Sequence, residues 1–156
     1  MSHSSKKKTI IISFVVLYVA LGFFREFIFL NINEQSRVTF YHDTDSHVSS
    51  SMQWLSNFSY TTLYYAKWPI TLAFTTLFAF VAASTIKIAF DEKNLVRITW
   101  IVYALTFVTG LLFYLAGSLT GNRETTYDIA RFLAGLTETP ALLVILLASF
   151  LAIRRK

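Results

Sequence analysis

Glu138 stands in the middle of an apolar run, in Leu136-Thr137-Glu138-Thr139-Pro140, where a carboxylate needs a partner or a proton. Three further charges lie at similar positions: Arg25 and Glu26 near the end of one apolar stretch, and Arg131 seven residues before Glu138. Ionisable groups in apolar segments mark ion paths, partner-docking points or internal ion-pair networks. At helical rise Glu26 and Arg131 fall at one depth, with Arg25 able to reach toward Glu138, so the four are expected to form one cluster of near-zero charge. Arg25 and Glu26, about 100° apart on a helix, are expected to be poor partners for each other. Pro140 removes a backbone donor and frees the carbonyl of Leu136, which predicts a kink patched by Thr137 or Thr139.

A second cluster, His42-Asp43-Thr44-Asp45-Ser46-His47, offers imidazole and carboxylate groups to a divalent ion. The spacing of His42, Asp43, Asp45 and His47 matches no metal motif, and we expect no metal there. All three His and both Met lie outside the apolar segments, which excludes a haem held within the bilayer. The chain has no Cys, so disulfide chemistry, thiolate sites and a thiol nucleophile are excluded as well. No phosphate-binding Gly loop or nucleophile elbow is present, and no cofactor is expected.

Four apolar stretches must position these groups: residues 9–30, 69–89, 98–117 and 129–153 of the 156. Each reaches the roughly 20 helical residues that cross about 30 Å of hydrocarbon. The fold expected is therefore an all-α membrane protein, one membrane domain over residues 1–156 with four transmembrane helices. With Lys6, Lys7 and Lys8 inside, nine basic residues fall on the inner side and three (Arg37, Lys67 and Arg123) on the outer. That bias predicts cytoplasmic N and C termini, in the inner membrane of a bacterium. The formal charge of +5 is thus assigned to the lipid surface rather than to nucleic acid. The first stretch has a basic start but no small-residue cleavage site after Leu30, and is expected to be a retained anchor.

Asn31-Ile32-Asn33-Glu34 is expected to end the first helix. The outer loop 32–68 should then carry a short interfacial helix over Met52–Tyr65, where apolar residues recur at three- or four-residue spacing. Tyr64, Tyr65, Lys67 and Trp68 form an aromatic and basic anchor, and Pro69 suits the first turn of the second helix. Thr71, Thr75, Ala79, Ala82 and Ala83 in the second stretch, with Thr99, Thr106, Gly110 and Gly117 in the third, predict close helix packing rather than a solute path.

Phe23-Phe24-Arg25-Glu26-Phe27-Ile28-Phe29, at the outer end of a basic-led first helix, resembles the small inner-membrane proteins associated with exosortases in Bacteroidota-type bacteria. The resemblance covers about the first thirty residues and the topology; Asn31-Ile32-Asn33 departs from that group's acidic, proline-containing stretch. It implies an accessory role in protein sorting or export, without a catalytic site. The function expected is an accessory or assembly subunit of an envelope complex, with another membrane protein as partner. The alternative is a small oligomeric transporter or channel titrating at Glu138 with Arg131 as modulator. An enzyme would be confined to the His42/Asp43/Asp45/His47 cluster.

Overall fold

The computed structural model describes residues 3–121 and 123–154, with the side chains of 3–7 and 123 left aside. Among the described residues five α-helices and one 3-10 helix follow each other: α1 His3–Tyr41, a 3-10 turn Ser50–Asn57, α2 Tyr60–Phe90, α3 Lys93–Thr120, α4 Arg123–Thr137 and α5 Pro140–Arg154. No strand occurs among the described residues. α1, α2 and α3 are long and apolar enough to cross a bilayer, and α4 with α5 supplies a fourth crossing if the bent pair counts as one. The fold is that of an all-helical integral membrane protein. Of the basic residues that set the orientation, Arg155 and Lys156 lie outside the described residues, as do the side chains of Lys6, Lys7 and Arg123.

Three boundaries differ from those expected. α1 does not stop at Asn31–Glu34 but runs on to Tyr41. Its polar residues turn back on the helix itself: Asn31 Nδ2 donates to the Phe27 carbonyl at 2.7 Å and Ser36 Oγ to that of Ile32 at 2.7 Å. A polar side chain that bonds one turn back satisfies itself without ending the helix. The helix stops one turn past Arg37, where His42 adopts a left-handed φ of 55° and Asp43 N reaches back to the Val38 carbonyl at 3.1 Å. That is the 6→1 closure of a Schellman end, built on His rather than Gly.

α2 likewise begins at Tyr60 rather than Pro69, which lies inside the helix. Ser59 caps it: Oγ accepts the N–H of Thr62 at 3.3 Å, and the Ser59 carbonyl takes the first intrahelical bond from Leu63 N at 3.0 Å. The expected Met52–Tyr65 helix is consequently divided at Phe58-Ser59, its first half being the 3-10 turn and its second the start of α2. The loop 32–68 is thus mostly helical. Finally, the fourth stretch is not one helix but two of 15 residues each, bent by 64°.

The chain divides into two compact units. In the first (residues up to Ala20 and from Thr75 on), α4 folds back along α3 after Gly121, whose φ of 76° needs the left-handed region. Gly110 is the contact point: a Cβ there would lie 3.4 Å from the Ala130 carbonyl and from Leu133 Cβ. Ala79, Ala82, Ala83 and Thr85 on α2 are buried, as is Thr99 on α3. The hydroxyls of Thr85, Thr99 and Thr106 are spent on carbonyls of their own helices, at 2.8–2.9 Å. Of the small residues expected to pack the helices, Ala79, Ala82, Ala83 and Thr99 are thus buried, and Gly110 faces α4.

The second unit, Leu21–Phe74, is a helical hairpin. Phe24 meets Phe74 with ring centroids 6.1 Å apart, and Phe40 meets Tyr60 at 5.0 Å. Between these contacts Ile32, Leu55 and Leu63 form a small core, flanked by Ile28, Met52 and Ile70. The 3-10 turn supplies Leu55 to this core.

Replacing Gly110 by Leu would drive four side-chain carbons against the α4 backbone, and overpacking of this kind costs about 1–3 kcal/mol. Gly110→Leu should therefore lower the melting temperature in detergent, with Gly110→Ala close to wild type. Equal melting of all three proteins would remove Gly110 from the α3–α4 contact.

Candidate functional site

A proline in the middle of a span frees backbone groups that water cannot reach, and the surrounding side chains decide how they are satisfied. Here the last carbonyls of α4 are taken up locally. Thr137 Oγ1 donates to Ala134 O at 2.7 Å, Glu138 N to Gly135 O at 3.1 Å, and Thr139 Oγ1 to Leu136 O at 3.4 Å. The carbonyl that Pro140 frees is thus met by Thr139, and Thr137 serves the one two residues earlier, as expected of the two threonines.

Two hydroxyl chains converge on this break. Tyr18 Oη lies 3.0 Å from the Thr139 carbonyl and 2.7 Å from Tyr103 Oη. A carbonyl only accepts, so Tyr18 spends its single proton there and Tyr103 must donate to Tyr18. By the same logic Thr137 donates to Ala134 and accepts from Thr75 Oγ1 at 3.2 Å. Tyr18, Tyr103 and Thr137 are almost fully buried, and Tyr18 also packs on the Phe78 ring at 4.7 Å. Both chains end on backbone carbonyls, which do not take up a proton at neutral pH. The arrangement holds the break.

Glu138 sits in the break itself and is 3% exposed, with Oε1 sealed from the surface. Arg131 is on α4 and exposed. The seven-residue spacing puts two residues on one face only of an unbroken helix, and α4 ends at Thr137, before Glu138. One is therefore buried and the other turned outward.

Arg25 and Glu26 lie in the hairpin unit, and the structure corrects the expectation for them. Arg25 Nη1 and Glu26 Oε2 are 3.0 Å apart, an ion pair between neighbours. The guanidinium also lies over the Phe29 ring, 4.4 Å from its centroid. A long Arg side chain laid along the helix toward Phe29 spans the angle that the backbone positions alone leave open. Arg25 is half-buried, whereas the Glu26 side chain is 57% exposed. Phe23, Phe27 and Leu30, at helical spacing around Glu26, are exposed with it.

The polar cluster over residues 34–49 is organised by Arg37, whose sequence position marks only a charge outside the apolar stretches. Arg37 is paired with Glu34 at 2.8 and 3.1 Å and with Asp43 at 2.6 Å, and it donates to the Asp45 carbonyl at 3.1 Å. Glu34 Oε1 also accepts His47 N, and Asn31 Oδ1 accepts Ser49 N at 2.7 Å. These bonds fasten residues 43–49 to the end of α1. The Arg37 guanidinium, helped by the Asp45 N–H, holds the Asp43 carboxyl below its ordinary value. His42 serves as the helix end, and Asp43 is engaged by Arg37. Among the described residues no three His, Cys, Asp or Glu side chains converge as metal ligands.

Tyr18, Tyr103 and Thr75 were not singled out for chemistry from sequence. A Tyr inside an apolar run does signal a hydroxyl in need of a partner. Which partner, 85 residues away in the case of Tyr18 and Tyr103, is decided only by packing.

Fold and sites together define a small helical membrane protein with three long apolar helices, a bent α4–α5 pair and a helical hairpin clamped at Arg37. Comparison with protein-family models, with curated proteins and with solved structures returns no match.

Removing the Tyr18 hydroxyl leaves both the Thr139 carbonyl and Tyr103 short of a partner; removing that of Tyr103 leaves Tyr18→Thr139 intact. Tyr18→Phe should cost about 1–2 kcal/mol and Tyr103→Phe less, with the double variant close to Tyr18→Phe alone. Unfolding titrations in mixed micelles would measure all three. Additive losses would show that the hydroxyls do not act as one chain.

The Asp43 pairing gives a pH dependence with a definite sign. Its folded pKa lies below the ordinary 3.8, so the contribution to loop docking is complete above that value and is lost as pH falls through the folded one. Amide-exchange protection of His47 and Ser49 should hold to about pH 4 and fall below it. Arg37→Ala should abolish it at neutral pH. Protection unchanged by Arg37→Ala would disprove the clamp.

Proposed function

We propose that this chain is an accessory or assembly subunit of a bacterial envelope complex, embedded in the cytoplasmic membrane with both ends inside and without a catalytic site of its own. The observation that carries this reading is Glu26: a carboxylate 57% exposed on the same face of α1 as Phe23, Phe27 and Leu30. A charge facing hydrocarbon is costly even when paired to its neighbour, and the cost is relieved when a polar group of another helix covers it. The resemblance of Phe23–Phe29 to exosortase-associated membrane proteins points the same way, toward protein sorting or export.

A second reading, a small oligomeric transporter or channel, draws on Glu138 buried in a broken span, since broken helices at mid-depth recur where transporters bind ions. The hydroxyl chains around the break weigh against it, because they end on carbonyls and bond inward.

A mild-detergent pulldown of the tagged chain from its native membrane, beside an Arg25→Ala/Glu26→Gln variant of equal abundance, tests the first reading. A stoichiometric partner should accompany the wild type and be lost with the variant. A partnerless protein in both would overturn it. Proton or cation flux into liposomes that Glu138→Gln abolishes would then establish the transporter.

A further inference from the structure

We propose that Lys67, in the seam of the α1–α2 hairpin, binds the phosphate of an anionic phospholipid, so that one lipid molecule is held as a specific ligand of this chain. The proposal concerns lipid and stands independently of the accessory-subunit reading.

Position in the hairpin comes first. Leu63 and Ile70 belong with Ile32 to the small core, and Phe74 meets the Phe24 ring. Lys67 follows Leu63 by four residues and precedes Ile70 by three and Phe74 by seven, so it occupies the same side of α2. That side faces α1, and the Lys67 side chain is half-buried. Between the Phe24–Phe74 and Phe40–Tyr60 contacts, its level corresponds to residues 31–33 of α1. An ammonium at a core-side position needs acceptors for its N–H groups and a balancing negative charge.

The hairpin supplies neither. Arg25 is paired with Glu26, and Arg37 with Glu34 and Asp43. Asp45, the remaining acid of the unit, is tied through its carbonyl to Arg37, six residues or about 9 Å beyond Asn31 along α1. The 3-10 turn, which brings Leu55 and Met52 to the same core, contains no charged residue. Asn31 spends its amide on the Phe27 carbonyl and its side-chain oxygen on Ser49 N. Among the described residues Lys67 accordingly makes no ion pair and no side-chain hydrogen bond.

The place of Lys67 along α2 selects what completes it. Nineteen uncharged residues separate Lys67 from Lys87. Twenty helical steps cover about 30 Å, the thickness of the hydrocarbon core. A crossing α2 thus sets one lysine at each border of the hydrocarbon, where lipid phosphates lie. Trp68, Tyr64 and Tyr65 beside Lys67 are the ring types that settle at this border, and Tyr65 is 63% exposed. Phe24, on the same side and 56% exposed, offers apolar surface to an acyl chain about 10 Å deeper. A phosphodiester brings both the missing charge and several acceptor oxygens. A zwitterionic head group brings a cation with its anion, so a lipid of net negative charge fits better.

The test takes the full chain, delipidated in mild detergent, and adds phosphatidylglycerol, phosphatidylcholine or diacylglycerol of the same acyl chains. Native mass spectrometry and the melting temperature are the readouts. Phosphatidylglycerol should bind as one molecule per chain and raise the melting temperature, with phosphatidylcholine weaker and diacylglycerol inactive. Lys67→Met should weaken phosphatidylglycerol binding roughly tenfold or more, and Lys67→Arg should retain it. Without lipid, Lys67→Met should melt at or above wild type, because an uncompensated cation has left the seam. Melting well below wild type would reveal an internal partner for the ammonium and overturn the proposal. Equal binding of phosphatidylcholine or diacylglycerol, or unchanged phosphatidylglycerol binding in Lys67→Met, would overturn it too. Complete displacement of the lipid by inorganic phosphate would assign the site to a soluble phosphate instead. Loss of a co-purifying protein rather than of lipid in Lys67→Met would give the ammonium to a partner's carboxylate and refute the lipid site.

Discussion

A buried backbone N–H or C=O left without a partner costs several kcal/mol, and at Thr137–Pro140 this chain breaks a helix beside the buried side chains of Thr137 and Glu138. Much of the first unit is arranged around satisfying the consequences. Thr137, Thr139 and the amide of Glu138 close the end of α4, and Tyr18 reaches in from α1 to the Thr139 carbonyl. Tyr103 and Thr75 then support these two hydroxyls from α3 and α2. One missing proline N–H thus accounts for why the buried polar residues of four helices meet at one place.

The bend has a second consequence. α4 is free to lie along α3, where Gly110 admits its backbone, while α5 turns toward the end of α2 and places Phe150 against Phe90 at 6.0 Å. A straight fourth helix would have to choose one of these neighbours. The broken one packs on both, with helices of only 15 residues.

The hairpin unit solves a different problem, that of joining two long apolar helices through a polar connection. Its interior is partly polar, with Asn31, Gln35 and Ser36 buried beside the small Ile32–Leu55–Leu63 core. Asn31 is used twice, donating to Phe27 within the helix and accepting Ser49 N from the loop. Arg37 gathers both flanking acids and the returning chain. Such ion pairs add little net stability at an exposed site, but they fix which conformation the loop takes.

The residue string by itself determined that the chain is helical and crosses a bilayer, because uninterrupted apolar runs of bilayer length have few other uses. It also located the break between α4 and α5, since the loss of a proline N–H is a local fact. Helix ends were less legible. The stop at His42 and the start at Ser59 depend on single residues whose capping role becomes visible only when the neighbouring turn is in place, and polar Asn31–Glu34 reads as a terminus until its side chains are seen to bond back. The pairing of Arg25 with Glu26 turned on the path of a side chain across Phe29, which spacing does not encode. Tertiary structure alone decided that Tyr18, Tyr103 and Thr139 share a hydrogen-bond chain, that Gly110 faces α4, and that Arg37 ties the His42–His47 loop to the end of α1. Those are contacts between residues far apart in the chain or on different turns, and a periodic pattern specifies which face a residue occupies without specifying what will be opposite it.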